Sequence, residues 1–493
     1  MAQPQSPSRS QASPGFVARL LGAHSALGLF IGGIMYLICL SGTATVFYEE
    51  TERWEQPNAP VVESVSPEAM TRAVESFLAL GTAGDHLYIT LPTGDFPRFM
   101  VSGDEDGWIA DADGTLVEKA EHEWTHFLIN LHIYLNLPRT LGLTLVGIAG
   151  VLLTALIISG FLAHPRIFRD AFSLRWNRSP RLAQADLHNR LSVWASPFHL
   201  AIAVTGALIG LSIALLFVVA QLFYDGDTDR ASAPLGSGDL PADARPAPLA
   251  DFGTALAALR AAHPEVEPFS ITVHAPGTAG QFIDITAEYP RRLVYGERWR
   301  FDAAGTLLAR EGWADGPIGK QVYISTYKVH FGSFGGLPVK LAYFAFGLGL
   351  SVIAISGVNI WLMRRRDRGR GLPRFETLWT GLTWGTPIGF ALAWMADEWG
   401  LAPPTPVFWA VLAATLAIAW FVAEREALSR WLRGLTAGLW GLVAALHALT
   451  YGLAAPVSLW VDSGLFLMAL ALAWTVRRPR PAEGAKLPVA MKG

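Results

Sequence analysis

Cysteine is almost absent from this chain, because its 493 residues include only one, Cys39, within an apolar run. A single cysteine excludes an intrachain disulfide and any metal or iron–sulfur site built from cysteines. Charged residues are also scarce, at 16% of the sequence, whereas soluble globular domains carry about 25%. The net charge of −3 gives no support for nucleic acid as a partner.

Two common nucleotide-binding motifs are missing as well. No G-x-G-x-x-G sequence follows a predicted strand, so no nicotinamide or flavin domain of that type is predicted. There is no P-loop either, which argues against an ATP-driven pump. A redox function would therefore need an external electron donor, either a quinol in the bilayer or a cytoplasmic reductase.

Apolar sequence is what the chain has in excess, since 52% of its residues are hydrophobic and the mean hydropathy is +0.33. A helix that spans a membrane needs about 20 mostly apolar residues. The sequence predicts an α-helical integral membrane protein with about eight transmembrane helices, the first of them uncleaved. The predicted spans are residues 16–48, 131–163, 188–224 and 330–363, followed by four additional helices within 377–476.

Basic residues orient these spans. Arginines are concentrated in the loops 164–187 and 364–376, and others follow the last span. Such loops lie on the cytoplasmic side, so we expect a protein of the bacterial inner (cytoplasmic) membrane with both termini in the cytoplasm. The cytoplasmic tails would then be 1–15 and 477–493, and the periplasmic loops 49–130 and 225–329.

The two long loops resemble each other. Each has a helical segment followed by strand-like pieces, so we expect two small α+β domains. Asp111-Ala-Asp-Gly-Thr-Leu116 in the first loop and Asp302-Ala-Ala-Gly-Thr-Leu307 in the second are nearly identical turn-and-strand sequences.

The predicted spans repeat in the same way. Leu40-Ser-Gly-Thr-Ala44 matches Val204-Thr-Gly-Ala-Leu208, and Ile158-Ser-Gly160 matches Ile355-Ser-Gly357. The sequence therefore predicts a helix–domain–helix unit that occurs twice, with the last four helices outside the repeat.

Five histidines enter the predicted spans, where ionisable residues are rare and often functional. Their predicted depths form an inner and an outer group. His24, His188 and His199 fall in the cytoplasmic half, and His132 and His330 at the outer ends of the second and fourth spans. His188 and His199 are 11 residues apart, which puts them on one face of an unbroken helix.

Histidines that face each other at matched depth suit the two axial positions of a haem iron. Haems near opposite faces of the membrane would form a path for electrons across it. Arg139, Lys340 and Arg190 lie near these histidines in the sequence and are candidate partners for haem propionates. The alternative is that the histidines form hydrogen bonds between helices or lie at the headgroup level.

Several segments around these histidines resemble the PepSY-associated transmembrane helix family. They are Leu187-His-Asn-Arg-Leu191, Pro197-Phe-His199, Leu131-His132 with Leu137-Pro138, and His330-Phe-Gly-Ser-Phe-Gly-Gly-Leu-Pro338. The resemblance covers residues 16 to about 366 and implies four core helices with PepSY-like domains in the outer loops.

Some members of this family are inner-membrane reductases that bind haem and release iron from siderophores. The resemblance therefore implies one or two haem b groups and a ferric siderophore or other ferric chelate as substrate. It implies that His24, His132, His188, His199 and His330 occupy positions where members carry histidines.

Other functions compete with this prediction. His122-Glu-Trp-Thr-His126 matches the H-E-x-x-H zinc motif, in which Glu123 would be the general base of a membrane hydrolase. The second repeat has no counterpart of this motif. A non-enzymatic PepSY regulatory or assembly protein and a transporter of an iron chelate are further alternatives.

Overall fold

The computed structural model describes residues 15–81, 84–163, 172, 180–236, 238, 240–290 and 292–477. The chain forms two compact units, Met1–Arg368 and Gly369–Gly493. The candidate site lies entirely in the first unit.

Long apolar helices and a β-sheet make up the first unit. Its described helices are α1 (Gly15–Ala44), α2 (Tyr48–Glu55), α3 (Pro67–Ala79), α4 (Glu123–Tyr134), α5 (Arg139–Ala163), α6 (Pro180–Trp194), α7 (Ser196–Gly210), α8 (Ser212–Phe223), α9 (Thr228–Ser232), α10 (Phe252–Ala262), α11 (Ile318–Phe331) and α12 (Gly336–Asp367). A 3₁₀ turn, Thr45–Phe47, joins α1 to α2. Ser66 begins α3 by accepting the backbone N–H of Ala69, and Pro67 fits the first turn.

The two loops expected as separate domains form one antiparallel sheet. Its strands are β1 (His86–Thr90), β2 (Phe99–Ser102), β3 (Gly107–Ala110), β4 (Leu116–Lys119), β5 (Glu267–His274), β6 (Phe282–Glu288), β7 (Glu297–Phe301) and β8 (Leu307–Arg310). Their order is β4-β3-β2-β1-β5-β6-β7-β8, so the β1–β5 pair joins the two halves. We call this single unit, with α3 and α10, the sheet domain.

A shared core explains why the halves join. Alternate side chains of the strands are buried with those of α3 and α10, and Phe77, Ile89, Ile271 and Trp299 belong to one apolar cluster. A four-stranded half with one helix would leave the edge of β1 unpaired, and pairing β1 with β5 removes that edge. The two near-identical sequences form matching turns, in which Asp111 and Asp302 accept backbone N–H groups.

Membrane-spanning helices are fewer than expected. Among the described residues, six helices are long and apolar enough to cross a membrane, or seven if the bent pair of α6 and α7 is one span. The expected count of eight is therefore not confirmed. The 26-residue helix α13 (Pro373–Glu398) is not among the six, and it carries four threonines at intervals of three residues together with Glu376.

The predicted third span, 188–224, is not one straight helix. Helices α6 and α7 meet at an angle of 69° near Ala195, and α8 follows after a second break at Leu211. Pro197 explains the first break, because it cannot donate the hydrogen bond that would continue α6. His188 and His199 lie on different sides of this bend, so the expectation that they share one helix face is wrong.

The second unit contains α13, α14 (Pro404–Phe421), α15 (Arg425–Tyr451) and α16 (Pro456–Arg477). Helix α13 packs against α14 and α15, and α15 packs against α16. Its only described histidine, His447, is buried and lies 2.9 Å from the Asp462 carboxylate, which ties α15 to α16.

An ion pair inside the sheet domain provides a test of the fold. Asp284 on β6 accepts hydrogen bonds from Arg300 Nε at 2.8 Å and from His274 at 3.1 Å. Burial alone would raise the pKa of Asp284, but these hydrogen bonds lower it to about 2. The carboxylate therefore stabilises the fold above about pH 4, and this contribution is lost as the pH falls towards 2.

We expect Asp284→Asn to destabilise the sheet domain by about 3 kcal/mol at neutral pH, because the buried charge of Arg300 would face a neutral amide in place of the carboxylate. Hydrogen exchange of β5, β6 and β7 in the detergent-solubilised protein measures this loss. The control is Asp243→Asn, which removes an exposed pair with Arg245 and should change exchange much less. Equal protection in both variants would contradict the prediction.

Candidate functional site

Two cavities between the helices of the first unit contain the five predicted histidines. The first, of about 510 Å³, is lined by His132 and His330, and we call it the sheet-proximal cavity. The second, of about 490 Å³, is lined by His24, His188 and His199, and we call it the sheet-distal cavity. Both volumes lie in the range of about 300–1,000 Å³ typical of small-molecule and cofactor sites. Met35, Leu153 and Leu350 line both cavities and form the wall between them.

The two histidines of the sheet-proximal cavity form a pair. Their ring centroids are 6.1 Å apart and their ring planes differ by 21°. His132 Nδ1 donates to the backbone carbonyl of Ile38 at 2.9 Å, and His330 Nδ1 lies 3.0 Å from Thr205 Oγ1. A neutral imidazole held through its Nδ1 hydrogen presents the lone pair of Nε2, the form in which histidine binds a metal ion.

Glycines allow these rings to lie close to the neighbouring helices. A Cβ atom at Gly42 of α1 would overlap the His132 ring, and one at Gly206 of α7 would lie 2.8 Å from His330 Cε1. Gly42 and Gly206 are equivalent positions of the repeat. Ile38 and Ile202 are equivalent as well, and their backbones bond to His132 and His330, respectively. The duplication is therefore preserved in side-chain contacts as well as in sequence.

The sheet-distal cavity repeats this arrangement. His24 Nδ1 lies 3.0 Å from Ser159 Oγ, and His188 Nδ1 lies 3.0 Å from Ser356 Oγ. A Cβ atom at Gly160 would lie 3.3 Å from His24 Cε1, and the same distance separates one at Gly357 from His188. His24 and His188 thus have the same partners in the two halves of the repeat.

His199 does not follow the symmetry. Its Nε2 lies 3.2 Å from the carbonyl of Phe346, so the nitrogen that is open in the other four histidines is already used. The equivalent position in the first half is Met35, so His199 has no histidine counterpart with which it could form a symmetric pair. Sequence alone did not separate His199 from the other four, although the missing counterpart at Met35 was a readable signal.

His132 and His330 are not on the spanning helices themselves. They lie on α4 and α11, which end before α5 and α12 begin. Leu135 and Asn136 turn the chain through positive φ after α4, and Gly332 does so after α11. The expectation that these histidines are at the ends of the second and fourth spans is therefore corrected.

The three basic residues expected near the histidines have different surroundings. Lys340 is buried and bonds to the carboxylates of Glu49 and Glu50, at 2.8 Å in each case. Arg190 lies over the ring of Trp194, whereas Arg139 lines the sheet-proximal cavity. Of the three, Arg139 is the one positioned to meet a carboxylate of a molecule bound there.

The H-E-x-x-H sequence does not have the arrangement that a zinc hydrolase needs. His122 precedes α4 with non-helical backbone angles, whereas His126 and Glu123 lie on the helix. Among the described residues, no three His, Cys, Asp or Glu side chains are grouped so that they could hold a metal ion. Burial, with His126 and Arg98 nearby, lowers the pKa of His122 to about 4, so its ring is neutral at pH 7.

The fold and the cavities together define a helical membrane protein with a duplicated, histidine-bearing core. Comparison with known proteins gives the same result: residues 21–364 match the PepSY-associated TM region, and the chain belongs to this family. An uncharacterized protein of Pseudomonas aeruginosa is 32% identical over 254 residues, which cover 48% of this chain and 63% of that protein. The chain thus spans less than two thirds of the length of this curated relative.

The contact between Gly42 and His132 can be tested by adding one methyl group. We expect Gly42→Ala to lower the stability of the detergent-solubilised protein by roughly 1–3 kcal/mol, because the methyl group displaces the His132 ring. The control is Gly22→Ala on the same helix, where an added Cβ meets no atom within 4 Å. Thermal unfolding of the two variants is the measurement, and equal unfolding temperatures would show that the ring does not pack on Gly42.

Proposed function

We propose that this protein is a haem-b electron-transfer protein of the bacterial inner membrane that reduces the iron of a periplasmic ferric siderophore to ferrous iron during iron uptake. One observation carries the proposal: two cavities that share a wall each contain a symmetric pair of histidines held through Nδ1. His132 and His330 would hold one haem, and His24 and His188 the other.

The geometry of the His132–His330 pair fits this role. Two imidazoles that would hold one metal ion between them, each at about 2 Å, would have ring centroids roughly 6 Å apart. The observed separation is 6.1 Å, and the planes are within 21° of each other. The same spacing occurs between other rings of the chain, such as Tyr327 and Phe331, so the support comes from the spacing together with the matching glycines and Nδ1 partners of the two histidines.

The residues around the histidines would have distinct tasks. Haem supplies one-electron storage when it is bound. The carbonyl of Ile38 and the hydroxyl of Thr205 orient the rings and select the tautomer with a free Nε2. Gly42 and Gly206 leave room for the rings, and Arg139 is placed to pair with a propionate.

The wall between the cavities supports electron transfer from one to the other. Met35, Leu153 and Leu350 are the residues that both cavities touch, so no further layer of helices separates them. In the proposed orientation both termini are cytoplasmic and the sheet domain, which we take to be PepSY-like, is periplasmic. The donor would be a quinol or a cytoplasmic reductase, and the acceptor a ferric chelate at the sheet-proximal side.

The first experiment is an absorption spectrum of the protein purified in detergent from haem-replete cells. We expect low-spin b-type bands that sharpen on reduction with dithionite, because all four axial positions would be filled by imidazole. The reduced protein should be reoxidised under nitrogen by a ferric hydroxamate chelate, with ferrozine trapping the ferrous iron. A colourless protein would reject the electron-transfer function and favour a regulatory role.

Substitution of single histidines then assigns the haems. We expect His132→Ala or His330→Ala to remove about half of the haem absorbance and nearly all reduction of the ferric chelate, since the sheet-proximal site would be lost. His263→Ala, in the sheet domain and outside both cavities, is the matched control and should change neither. Full activity in His132→Ala would exclude this pair as haem ligands.

His199 provides a separate test of the pairing. We expect His199→Met, which copies the residue at the equivalent position of the first half, to keep both haems. His188→Ala should lose the haem of the sheet-distal cavity. Haem content measured as pyridine haemochrome per protein decides between them, and haem loss in His199→Met alone would move the ligand role from His188 to His199.

A further inference from the structure

The second unit buries a pair of ionisable side chains between otherwise apolar helices. His447 of α15 is completely buried, and its Nδ1 lies 2.9 Å from a carboxylate oxygen of Asp462 on α16. Asp462 is the only Asp, Glu, Lys or Arg in the sequence from residue 434 to residue 476. Ionisable groups at membrane depth are costly, so they are functional candidates by default. The haem sites proposed above use neither residue.

A hydroxyl group beside this pair has no partner. Ser458 lies four residues before Asp462 on α16, and residues with this spacing share one face of a helix. Its side chain is fully buried, and among the described residues its Oγ has no hydrogen-bond partner. A buried hydroxyl without a partner costs free energy, which a pair that only tied two helices together would not explain. An oxygen atom of a bound molecule would satisfy it.

Two aromatic rings and a second carboxylate surround His447. The Tyr451 ring, at the end of α15, has its centroid 4.9 Å from that of His447, and the Trp394 ring of α13 is 6.2 Å away. The Tyr451 hydroxyl donates a hydrogen bond to the carboxylate of Glu398, the last residue of α13. We call the whole group the His447–Asp462 cluster, and its members are Trp394, Glu398, His447, Tyr451, Ser458 and Asp462.

The cluster lies close to the bilayer. Of the six candidate spans among the described residues, α16 is the one least buried by the rest of the protein. Its Trp460 and Leu467 are 77% and 65% exposed, and in a membrane such side chains face lipid. The cluster is therefore one helix away from lipid on this side, and a ligand that reaches it from there must dissolve in the membrane.

We propose that the His447–Asp462 cluster binds the head group of a membrane quinol and accepts the protons that are released when the quinol is oxidised. A quinol has a flat, uncharged ring with two hydroxyl groups at opposite ends and an apolar tail that dissolves in lipid. Imidazole and serine side chains form hydrogen bonds with such hydroxyl groups, and the rings of Trp394 and Tyr451 can pack against a flat ring.

The cluster also contains the groups that the reaction needs. Oxidation of one quinol releases two electrons and two protons and leaves the quinone. The His447 imidazole takes up one proton at a time, and the Asp462 carboxylate stabilises the charge that the imidazole gains. Each proton then leaves through Tyr451 and Glu398 towards the end of α13. The two electrons reduce two ferric haems to the ferrous state, one electron each.

The role of the quinol as electron donor rests on the proposed function, for which a quinol and a cytoplasmic reductase are both candidate donors. The cluster favours the quinol, because it supplies a proton acceptor next to lipid. Binding of a quinone does not require haem, so the quinol site and the reductase can be tested separately.

The first test is binding of decylubiquinone by the full-length protein in detergent, measured by gel filtration in buffer that contains the quinone. We expect one quinone per chain to bind saturably. Ser458→Ala should weaken binding about fivefold through loss of one hydrogen bond, and it should not lower the unfolding temperature, since this hydroxyl has no partner within the described chain. The control is Ser463→Ala, which removes an exposed hydroxyl of the same helix and should change neither quantity.

The second test is reduction of the haem by decylubiquinol, followed in the absorption spectrum. Asp462→Asn keeps the shape of the side chain but removes the charge that stabilises a protonated His447. We expect this variant to reduce its haem at least about a hundredfold more slowly with the quinol, to bind quinone nearly as well, and to be fully reduced by dithionite. The control is Glu424→Gln, which removes an exposed carboxylate of the second unit and should leave the rate unchanged.

The outcomes separate the two proposals. Unsaturable quinone binding, or equal binding in Ser458→Ala and the unmodified chain, would overturn the quinol site, and reduction of a ferric chelate by the dithionite-treated protein would still support the reductase. Saturable binding that depends on Ser458 in a protein without haem would reject the reductase and keep the quinol site. A lower unfolding temperature in Asp462→Asn, with unchanged haem reduction by the quinol, would show that the pair only ties α15 to α16.

Discussion

The close approach of histidine rings to glycines on neighbouring helices is the constraint on which the first unit depends. Four rings, on α1, α4, α6 and α11, each pack against a glycine. A Cβ atom would collide with the ring at Gly42 and Gly206 and would make a tight contact of 3.3 Å at Gly160 and Gly357. The nearby carbonyl and hydroxyl groups then hold each ring by Nδ1. The two pairs of rings line the two cavities between these helices.

Duplication gives this arrangement its symmetry, and the departures from symmetry are informative. His24 and His188 have matching partners, as do His132 and His330, whereas His199 stands opposite Met35. The H-E-x-x-H sequence is likewise present in one half only. Under the proposed function, the symmetric core would carry the electrons.

The sheet domain depends on the same duplication. Each half supplies four strands and one helix, and the β1–β5 pair joins them across one apolar core. Because α2, α4 and α11 lead directly from this domain into the core, the sheet holds His132 and His330 in position. A cavity of about 650 Å³ lies at that junction and is lined by residues of both parts, among them Glu52 and Phe269.

Local properties of the sequence were sufficient for the class of protein, the duplication and the set of histidines. Hydropathy, charge and repeated motifs depend on neighbouring residues, so they can be read without knowing which segments meet. These local properties did not predict the number of spans correctly. They also did not predict that the two loops form one sheet.

Long-range contacts decided the rest. The hydrogen bond of His132 joins residues 94 positions apart, and Lys340 pairs with carboxylates about 290 positions away. The bend at Ala195 separates His188 from His199. Which ring nitrogen is open, and which charge is already neutralised, depends on neighbours brought together only by tertiary packing. The sequence alone therefore identified the candidate ligands, and the tertiary structure alone decided how they pair.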